Sequence, residues 1–399
     1  RNFAAKCATV FSGENIRQFT TVEPGEGIEL PRPSELYQIE PDQDLRVGEY
    51  FVGLNVGGKT LFMVADTGSS NVIIDRKEFP EADPDKFLLQ DFDVSYGSGR
   101  GLASKYADSV GLTCGATDVT YTVGILKQNF NLHNILGLGY PSKAFPPPPQ
   151  EPIRPFFDQV YEKNQDSIMD LFAMALCGHK TGHIISLGGP LPEINQEDLT
   201  YVPIIHKSWY VIDARYMQVV DWVNNGGKWT RQEGATTKIG DFQRFSPDEN
   251  GGAGSGIATH VDSGATHNYF PPEMYKNCLD VLRAASNELK LGIPDGFWNA
   301  KIGGPDYSIG IDHAVIDKLP KFQIIVRGPT DELLDLDLLP DTYLKELSPG
   351  KRTSSFREST GYMNVLGQAF MEGYYVEFDR QSEPDRIGFA SNKTFCVER

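Results

Sequence analysis

The sequence predicts an all-β fold in two similar β-rich halves, with only a few short helices. Forty glycines and 26 prolines accompany many Tyr, Phe, Val and Ile residues, a composition typical of strands joined by turns. Alternating apolar residues and short apolar runs recur along the chain, as expected of strands that bury one or both faces. An Asp-(Thr/Ser)-Gly tripeptide occurs at Asp66 and again at Asp262, and each copy follows a strand-like run. The repeat indicates two halves of related structure.

The composition and net charge limit the classes of protein to which this chain can belong. The chain has 399 residues, of which 40% are hydrophobic and 23% charged, values typical of a globular protein of two or three domains. A formal net charge of −17 argues against nucleic acid and anionic membranes as partners, because like charges repel. No apolar run is long enough to cross a membrane. Because the sequence begins at Arg1, we expect a processed form, and a signal or membrane anchor could lie outside it.

Residues 1–44 are predicted to be a separate N-terminal segment. They are rich in Pro, Glu and Thr, and their prolines argue against a long helix. One interpretation is a pro-segment remnant that covers a cleft, and the other is an extension that packs on the surface. We favour the extension, because a segment that inhibits an acidic cleft should be basic and this one is not. The two predicted lobes then span residues 45–200 and 201–399.

The first lobe is predicted as a series of strands that leads to Asp66. Residues 50–56 alternate apolar side chains, Gly57-Gly58 predicts a hairpin turn, and the apolar run at 61–65 predicts a strand buried on both faces. A hairpin with a glycine-rich tip is predicted at 92–112. The remaining elements are an apolar strand at 135–137, a proline loop at 146–149, a helix at 155–165 and strands at 168–178 and 184–189. We interpret the proline loop as a spacer rather than a polyproline ligand.

The second lobe repeats this pattern around Asp262. A glycine-rich loop at 247–256 precedes the aspartate, and a helix is predicted at 272–289. One face of this helix, which includes Met274 and Cys278, is interpreted as core packing. Strands are predicted at 201–205, 209–212, 216–220, 322–325, 336–339, 365–366, 374–378 and 387–390.

Asp66 and Asp262 are the candidate catalytic residues. Two carboxyl groups held within hydrogen-bonding distance share one proton, because two adjacent negative charges are unfavourable. The ionised carboxylate can then act as a general base on a water molecule, while the protonated one polarises a carbonyl group. This chemistry needs no metal, cofactor or covalent nucleophile, so none is predicted.

The residues that follow each aspartate are predicted to support the pair. The hydroxyl groups of Thr67 and Ser263 can hydrogen-bond across to the opposite loop, and Gly68 and Gly264 can present backbone N–H groups to the carboxylates. A single Asp-Ser-Gly is common turn chemistry, but two matched copies after strand-like runs are rare by chance. The glycine-rich stretch 97–101 could also suggest a phosphate loop. It lacks the Gly-Lys-(Ser/Thr) ending, and a strand rather than a helix is predicted after it.

Residues 46–397 resemble the pepsin-like aspartic proteases. Asp66-Thr67-Gly68-Ser69-Ser70-Asn71 is similar to the first catalytic motif of that family, Asp262-Ser263-Gly264 to the second, and Tyr96-Gly97-Ser98-Gly99 to the flap. The resemblance implies a bilobal β fold and an endopeptidase that hydrolyses an extended peptide bound under the flap. It implies that the substrate is bound by Tyr96, Gly97, Ser98, Gly68, Gly264, Ala265 and Thr266, and that Thr67, Ser69 and Ser263 support the aspartates.

Within the family, the chain looks most like the beta-secretase (memapsin) branch. The supporting stretches are 155–158, 176–178, 294–298, 339–344 and 371–375. By this resemblance Cys177 and Cys396 should form a disulfide. The pairing of Cys7, Cys114 and Cys278 stays open, and a Cys7–Cys114 bridge is only a guess.

The resemblance also implies a monomer that takes a peptide or protein substrate. We expect the secretory pathway as its location, either outside the cell or in an acidic vesicle, and a zymogen form. One sequon, Asn392-Lys393-Thr394, permits N-glycosylation of a secreted protein. The alternative function is a catalytically silent peptide-binding or inhibitor protein on the same fold. The presence of both aspartates and of Tyr96 argues against that alternative.

Several features depart from the family pattern. The segment from Asp66 to the flap is shorter than usual, and the usual tryptophan after the first motif is absent from residues 72–75. Ala265 stands where the family has Ser or Thr, whereas Ser69 at the equivalent place can donate a hydrogen bond to Asp66. Without that donor we expect a raised pKa for Asp262 and a pH optimum closer to neutral than in an Ala265→Ser variant. This predicts that Asp66 stays ionised and that Asp262 holds the shared proton.

Overall fold

The computed structural model describes residues 5–6, 28–29 and 50–396, apart from 97–98, 113–115, 128–133, 148, 167, 179, 181–182, 192, 247–255, 349, 362 and 395. Within these residues the chain is mainly β-sheet, and three of the five α-helices are only four residues long. The predicted all-β class with a few short helices is therefore confirmed. The glycine loop predicted at 247–256 falls almost wholly outside the described residues, as do Cys7 and Cys114.

The strands of the first half run up to residue 187. They are β1 (Ala5–Lys6), β2 (Ile28–Glu29), β3 (Phe51–Val56), β4 (Lys59–Asp66), β5 (Val72–Asp75), β6 (Phe87–Tyr96), β7 (Gly99–Leu112), β8 (Ala116–Leu126), β9 (Ile135–Gly137), β10 (Leu171–Ala175) and β11 (Ile184–Leu187). The one α-helix described here is α1 (Phe156–Asn164), where the sequence predicts it.

The second half contains the remaining strands and four α-helices among the described residues. The strands are β12 (Thr200–Lys207), β13 (Tyr210–Ile212), β14 (Ala214–Asn225), β15 (Lys228–Asp241), β16 (Ala258–Val261), β17 (Asn268–Phe270), β18 (Ile309–Gly310), β19 (Phe322–Arg327), β20 (Leu333–Leu338), β21 (Leu344–Ser348), β22 (Lys351–Ser354), β23 (Phe356–Glu358), β24 (Met363–Leu366), β25 (Tyr374–Asp379) and β26 (Arg386–Ser391). The helices are α2 (Pro272–Glu288), α3 (His313–Ile316), α4 (Pro340–Tyr343) and α5 (Gln368–Met371).

The first-half sheet carries Asp66 at the end of β4. Its strand order is β3-β4-β9-β5-β8-β7-β6. Gly57 and Gly58 form the predicted turn between β3 and β4, with φ of 58° and 85°, values that favour glycine and match a two-residue hairpin. The short strand β9 lies parallel to β4, so that Gly137 is in register with Asp66. Asp66 thus leaves a buried strand that is paired on both edges.

The second half reproduces this local arrangement around Asp262. Strand β16 is parallel to β24, with Val261 in register with Leu366, just as β4 is parallel to β9. In each half an apolar strand that ends in glycine runs beside the strand that carries the aspartate. The two aspartate motifs, which lie about half a chain apart in the sequence, therefore share the same local arrangement of strands.

One large sheet contains strands from both halves. It runs β11-β10-β25-β26-β12-β13-β16, so that β10 of the first half pairs with β25 of the second. Its central strands are almost fully buried. At one edge, residues 5–6 and 28–29 pair with β11. The role of the 1–44 segment stays a prediction.

The long hairpin of β14 and β15 is only partly predicted from the sequence. The prediction covers residues 216–220 of β14 and omits β15 altogether. Among the residues of β15 only Trp229 and Ile239 are buried, so the strand lacks the apolar alternation on which the prediction depends. Its backbone pairing with β14 holds it in place.

The described residues include the predicted disulfide, the buried Cys278 and the sequon at Asn392. Cys177 and Cys396 form the predicted disulfide, with their Cα atoms 5.2 Å apart. Cys278 is a free thiol buried in the core face of α2, as interpreted from the sequence. The Asn392 side chain of the sequon is buried, and its amide donates to the backbone carbonyl of Glu372 at 2.7 Å. Glycosylation of this sequon stays a prediction.

Candidate active site

The two aspartates follow equivalent strands and emerge at one place between the halves. The carbonyl oxygen of Asp66 accepts a hydrogen bond from the N–H of Leu138 at 2.8 Å, and the N–H of Asp262 donates to the carbonyl of Leu366 at 3.0 Å. Each aspartate is thus held by the parallel strand beside it. Asp66 is only 9% exposed, so its carboxyl group is largely shielded from bulk water.

The loops that follow the aspartates are joined by reciprocal hydrogen bonds. The N–H of Thr67 donates to Ser263 Oγ at 3.0 Å, and the N–H of Ser263 donates to Thr67 Oγ1 at 2.9 Å. Each hydroxyl then donates to the backbone of the opposite strand, Thr67 to the Val261 carbonyl at 3.0 Å and Ser263 to the Ala65 carbonyl at 2.7 Å. All four hydrogen bonds are buried. This arrangement, which we call the hydroxyl interlock, fixes the two loops relative to each other.

The glycines of the two motifs lie against the carboxyl groups. Gly68 N–H donates to Asp66 Oδ1 and Gly264 N–H donates to Asp262 Oδ1, each at 2.8 Å. Each glycine also faces the aspartate of the other loop. A Cβ atom at Gly68 would lie 2.5 Å from the Asp262 carboxyl group, and one at Gly264 would collide with Asp66 Oδ1. The two carboxyl groups therefore sit close together across the contact between the loops.

Residues behind the loops hold them in place. Gln368 donates from Nε2 to the Ser263 carbonyl at 2.7 Å and from its backbone N–H to the Ala265 carbonyl at 2.8 Å. In the first half, Asn71 donates from Nδ2 to the Ile153 carbonyl at 2.8 Å. The sequence analysis did not identify Gln368. No signal in the sequence distinguishes this buried glutamine from an exposed one.

The electrostatics of the pair reverse the predicted assignment of the proton. Burial, and then the adjacent charge of Asp262, raise the pKa of Asp66 well above its usual value. Burial would also raise the pKa of Asp262, but the His260 imidazole, the N–H of Gly264 and the hydrogen bond with Asp66 together outweigh this effect and lower it. The prediction that Asp66 is ionised and that Asp262 holds the proton is therefore wrong. It considered the missing hydroxyl at Ala265 but not His260.

Ser69 contributes less than expected. Its hydroxyl lies near enough to lower the pKa of Asp66, but burial and the charge of Asp262 outweigh that effect. Among the described residues, none forms a hydrogen bond of good geometry with Ser69 Oγ, which is buried. At the equivalent place Ala265 has its N–H near the Asp262 carbonyl, at 3.4 Å. Thr266 follows it, half-buried.

His260 is a site residue that the sequence analysis missed. Its Nε2 lies 3.5 Å from Asp262 Oδ2, and its side chain is only 2% exposed. The imidazole also stacks on Trp209, with 5.7 Å between ring centroids. The signal was present in the sequence, because residues two apart in an extended segment point to the same side.

Tyr96 lies at the end of β6, in the predicted hairpin. It pairs with Gly99 of β7, and the charge of Asp66 contributes with burial to a raised pKa of its phenol group. The hydroxyl is buried and has no hydrogen-bond partner among the residues that the structure describes. The hairpin tip, Gly97 and Ser98, lies outside the described residues. Tyr96 thus reaches the neighbourhood of the pair with its hydroxyl group unpaired.

No group of three or more His, Cys, Asp or Glu side chains in the described part of the chain is arranged to hold a metal ion. No described helix has the length and apolar character that crossing a membrane requires.

Comparison with known proteins gives the family. The sequence matches the model of the eukaryotic aspartyl protease family over residues 49–392. It is similar to a beta-secretase of Strongylocentrotus purpuratus, 25% identical over 270 residues that make up 64% of this chain and 46% of that protein. It is also similar to pepsin A of Sus scrofa, 22% identical over 90% of this chain and 86% of that protein. Renin-2 of Mus musculus is 22% identical over 85% of this chain and 78% of that protein.

These similarities confirm the predicted resemblance and the bilobal pepsin-like fold. The chain spans about half the length of the beta-secretase that it matches, and most of the length of the pepsin and the renin. The family implies peptides or proteins as the class of substrate. Because the family match extends over most of its length, the chain belongs to the eukaryotic aspartyl protease family.

Proposed function

We propose that the chain is an aspartic endopeptidase in which Asp66 and Asp262 together activate a water molecule against a peptide carbonyl. The observation that carries this proposal is the hydroxyl interlock, which brings the two aspartate loops into register. Two buried carboxyl groups in contact share one proton, and this is the state that a combined acid and base requires.

The direction of the pKa shifts assigns the roles within this pair. Asp262, whose pKa is lowered, is the ionised carboxylate and accepts a proton from the water molecule. Asp66, whose pKa is raised, carries the shared proton and donates it toward the carbonyl oxygen of the peptide. The water oxygen bonds to the carbonyl carbon, and the carbon–nitrogen bond then breaks as the amine leaves with a proton from Asp262. As the carbonyl group re-forms, one hydroxyl group of the tetrahedral intermediate returns its proton to Asp66, and the pair is again a protonated Asp66 beside an ionised Asp262.

The surroundings of the pair support binding of an extended peptide. The hairpin of β6 and β7 would act as a flap, with Tyr96 and the tip at Gly97 and Ser98 above the substrate. The unpaired hydroxyl of Tyr96 can donate to a substrate carbonyl. Gly68, Gly264, Ala265 and Thr266 would line the opposite wall, between lobes that we place at residues 45–200 and 201–399.

The remaining parts of the proposal concern the cellular context. A disulfide such as Cys177–Cys396 is typical of proteins that fold in an oxidising compartment. We therefore favour the secretory pathway, as a secreted or vesicular protein. We also propose a monomer and a zymogen form.

The test replaces each aspartate by the isosteric amide. Asp66→Asn and Asp262→Asn should each reduce kcat for cleavage of a denatured protein at mildly acidic pH by about 100- to 10,000-fold, because a proton-transfer group is lost. Asp317→Asn, which changes an exposed aspartate just after α3, is the matched control and should keep the parent rate. Near-parental cleavage by either dyad variant would refute the proposal. If the parent shows no turnover and does not bind a statine-type transition-state mimic, the catalytically silent binding protein is favoured.

A further inference from the structure

His260 breaks the symmetry between the two aspartate strands. Strand β4 reads Val64-Ala65-Asp66 and strand β16 leads through His260-Val261 into Asp262. Val64 and His260 occupy equivalent places, since Val64 is in register with Ile135 of β9 and His260 with Val365 of β24. Both side chains are buried. Among the described residues, the second half has a histidine beside its aspartate where the first half has a valine.

The surroundings of His260 indicate which nitrogen carries hydrogen. Nε2 lies 3.5 Å from Asp262 Oδ2, whereas Nδ1 is buried and has no partner within the described part of the chain. A hydrogen on Nδ1 would leave a buried donor unsatisfied, while a hydrogen on Nε2 points to a carboxylate. Stacking on Trp209, with an angle of 29° between the rings, holds the imidazole in this orientation.

Few other charged groups on the packed elements lie close to the His260 imidazole. The residues in register with His260 on β13 and β24 are Val211 and Val365, which are uncharged. The Lys143 ammonium lies over the ring of Trp209, 4.3 Å from the centroid, and so adds positive potential beyond the stacked ring. Burial raises the pKa of the Tyr269 phenol, the charge of Arg357 lowers it and the charge of Asp262 raises it further, so the phenol stays neutral. Asp262 is therefore the charge that faces His260.

We propose that His260 is a positioning residue that donates from Nε2 to Asp262 and thereby fixes Asp262 as the ionised carboxylate and Asp66 as the protonated one. This inference rests on the proposed function, because it assigns roles within the same pair. Asp262 then has two donors, His260 and the N–H of Gly264, whereas Asp66 has the N–H of Gly68 and a poorly oriented Ser69 hydroxyl.

The first test compares pH–rate profiles of two variants. His260→Val gives β16 the residue type that β4 has at the equivalent place and removes the donor. Loss of this donor should raise the pKa of the ionised Asp262. The acidic limb of the pH profile of kcat/KM should therefore move to higher pH by about one unit. His260→Gln keeps a donor near the position of Nε2 and should restore most of the parental limb. His206→Gln changes a histidine on β12, which β13 separates from β16, and should leave the pH–rate profile unchanged.

The outcomes of this comparison separate positioning from packing. An equal loss of rate at every pH in His260→Val, with an unmoved acidic limb, would overturn the proposal, since packing alone would give that result. A limb that shifts equally in the Val and Gln variants would also overturn it, because the hydrogen bond would then not be the cause.

A second measurement needs no variant of His260 and no activity. Carbon-13 NMR of carboxyl-labelled aspartate, assigned by difference from Asp66→Asn and Asp262→Asn, reports which carboxyl group ionises first. We expect Asp262 to ionise at lower pH than Asp66, and the reverse order would overturn the proposal. If the two Asn variants keep full hydrolysis, the proposed function fails, and the NMR order still decides the role of His260.

Discussion

Gly68 and Gly264 show how closely the two carboxyl groups are confined at the scale of single residues. Each glycine donates its N–H to its own aspartate and lies against the carboxyl group of the other. A side chain at either position has no room without moving an aspartate. The glycines are therefore required by the approach of the two loops and not by backbone conformation, since neither has a positive φ.

Gly68→Ala should abolish most activity while the chain still folds. Its Cβ would lie 2.5 Å from the Asp262 carboxyl group, which must shift by about 1 Å to avoid the contact. A displacement of that size costs about 100-fold in kcat. Gly310→Ala is the control, because its nearest neighbour lies at 3.7 Å and the position tolerates a methyl group. The prediction is checked by steady-state kinetics with thermal unfolding of each variant, and parental kcat in Gly68→Ala would contradict it.

Part of the site could be predicted from the sequence because its chemistry is local. Asp66, Asp262 and their neighbours lie in contiguous motifs, and the roles of Thr67 and Ser263 as crossing donors follow from their place after each aspartate. The charge assignment within the pair could not be predicted from the motif, because it depends on His260, outside the tripeptide. The lack of a partner for the Tyr96 hydroxyl among the described residues also depends on the whole fold.

At the scale of secondary-structure elements, the geometry of the site depends on the two aspartate loops and on the strands that precede them. Buried strands with continuous apolar runs, such as β4, were predicted well. Strand β15 was not, because its residues are exposed and its stability derives from backbone pairing with β14. Two similar strand pairs, β4 with β9 and β16 with β24, bring the two loops together. The hydroxyl interlock then joins these two units.

Ser263→Ala should destabilise the junction of these two units. It removes the acceptor of the Thr67 N–H and the donor to the Ala65 carbonyl, and both of these backbone groups are buried. Each unsatisfied buried group costs about 1–3 kcal/mol, so the loss of two partners should lower the free energy of unfolding by about 2–6 kcal/mol. Ser263→Thr keeps the hydroxyl, as Thr67 does in the first half, and should lose much less. Urea unfolding measures the difference, and equal stability of the Ala and Thr variants would show that the interlock is unimportant.

The two halves are also joined by buried polar contacts at the scale of the whole molecule. The Tyr50 hydroxyl donates to Glu372 Oε1 at 2.7 Å and accepts from the N–H of Gly178 at 2.9 Å. Glu372 also forms a buried ion pair with Lys345. Arg380 of the second half binds Asp158 of the first at 2.6 Å. These contacts surround the sheet that contains strands from both halves, and they were not apparent from the sequence because each joins residues far apart in the chain.

The disulfide that closes this region should stabilise the molecule without acting on the aspartates. Cys177 follows β10, Cys396 lies near the C-terminus, and the two are 219 residues apart in sequence. A cross-link over so long a segment restricts the unfolded chain, so its loss should lower the free energy of unfolding by about 2–5 kcal/mol.

The double variant Cys177→Ser/Cys396→Ser removes the bond without leaving a reactive thiol at either position. Urea unfolding at 25 °C should show the lower stability, whereas kcat should stay near the parental value, because the hydroxyl interlock holds the aspartates through different residues. The parent with its disulfide reduced is the matched control and should unfold like the double variant. A double variant as stable as the oxidised parent would show that the buried polar contacts alone hold the C-terminal segment. A large fall in kcat with unchanged stability would instead couple this disulfide to the aspartate pair.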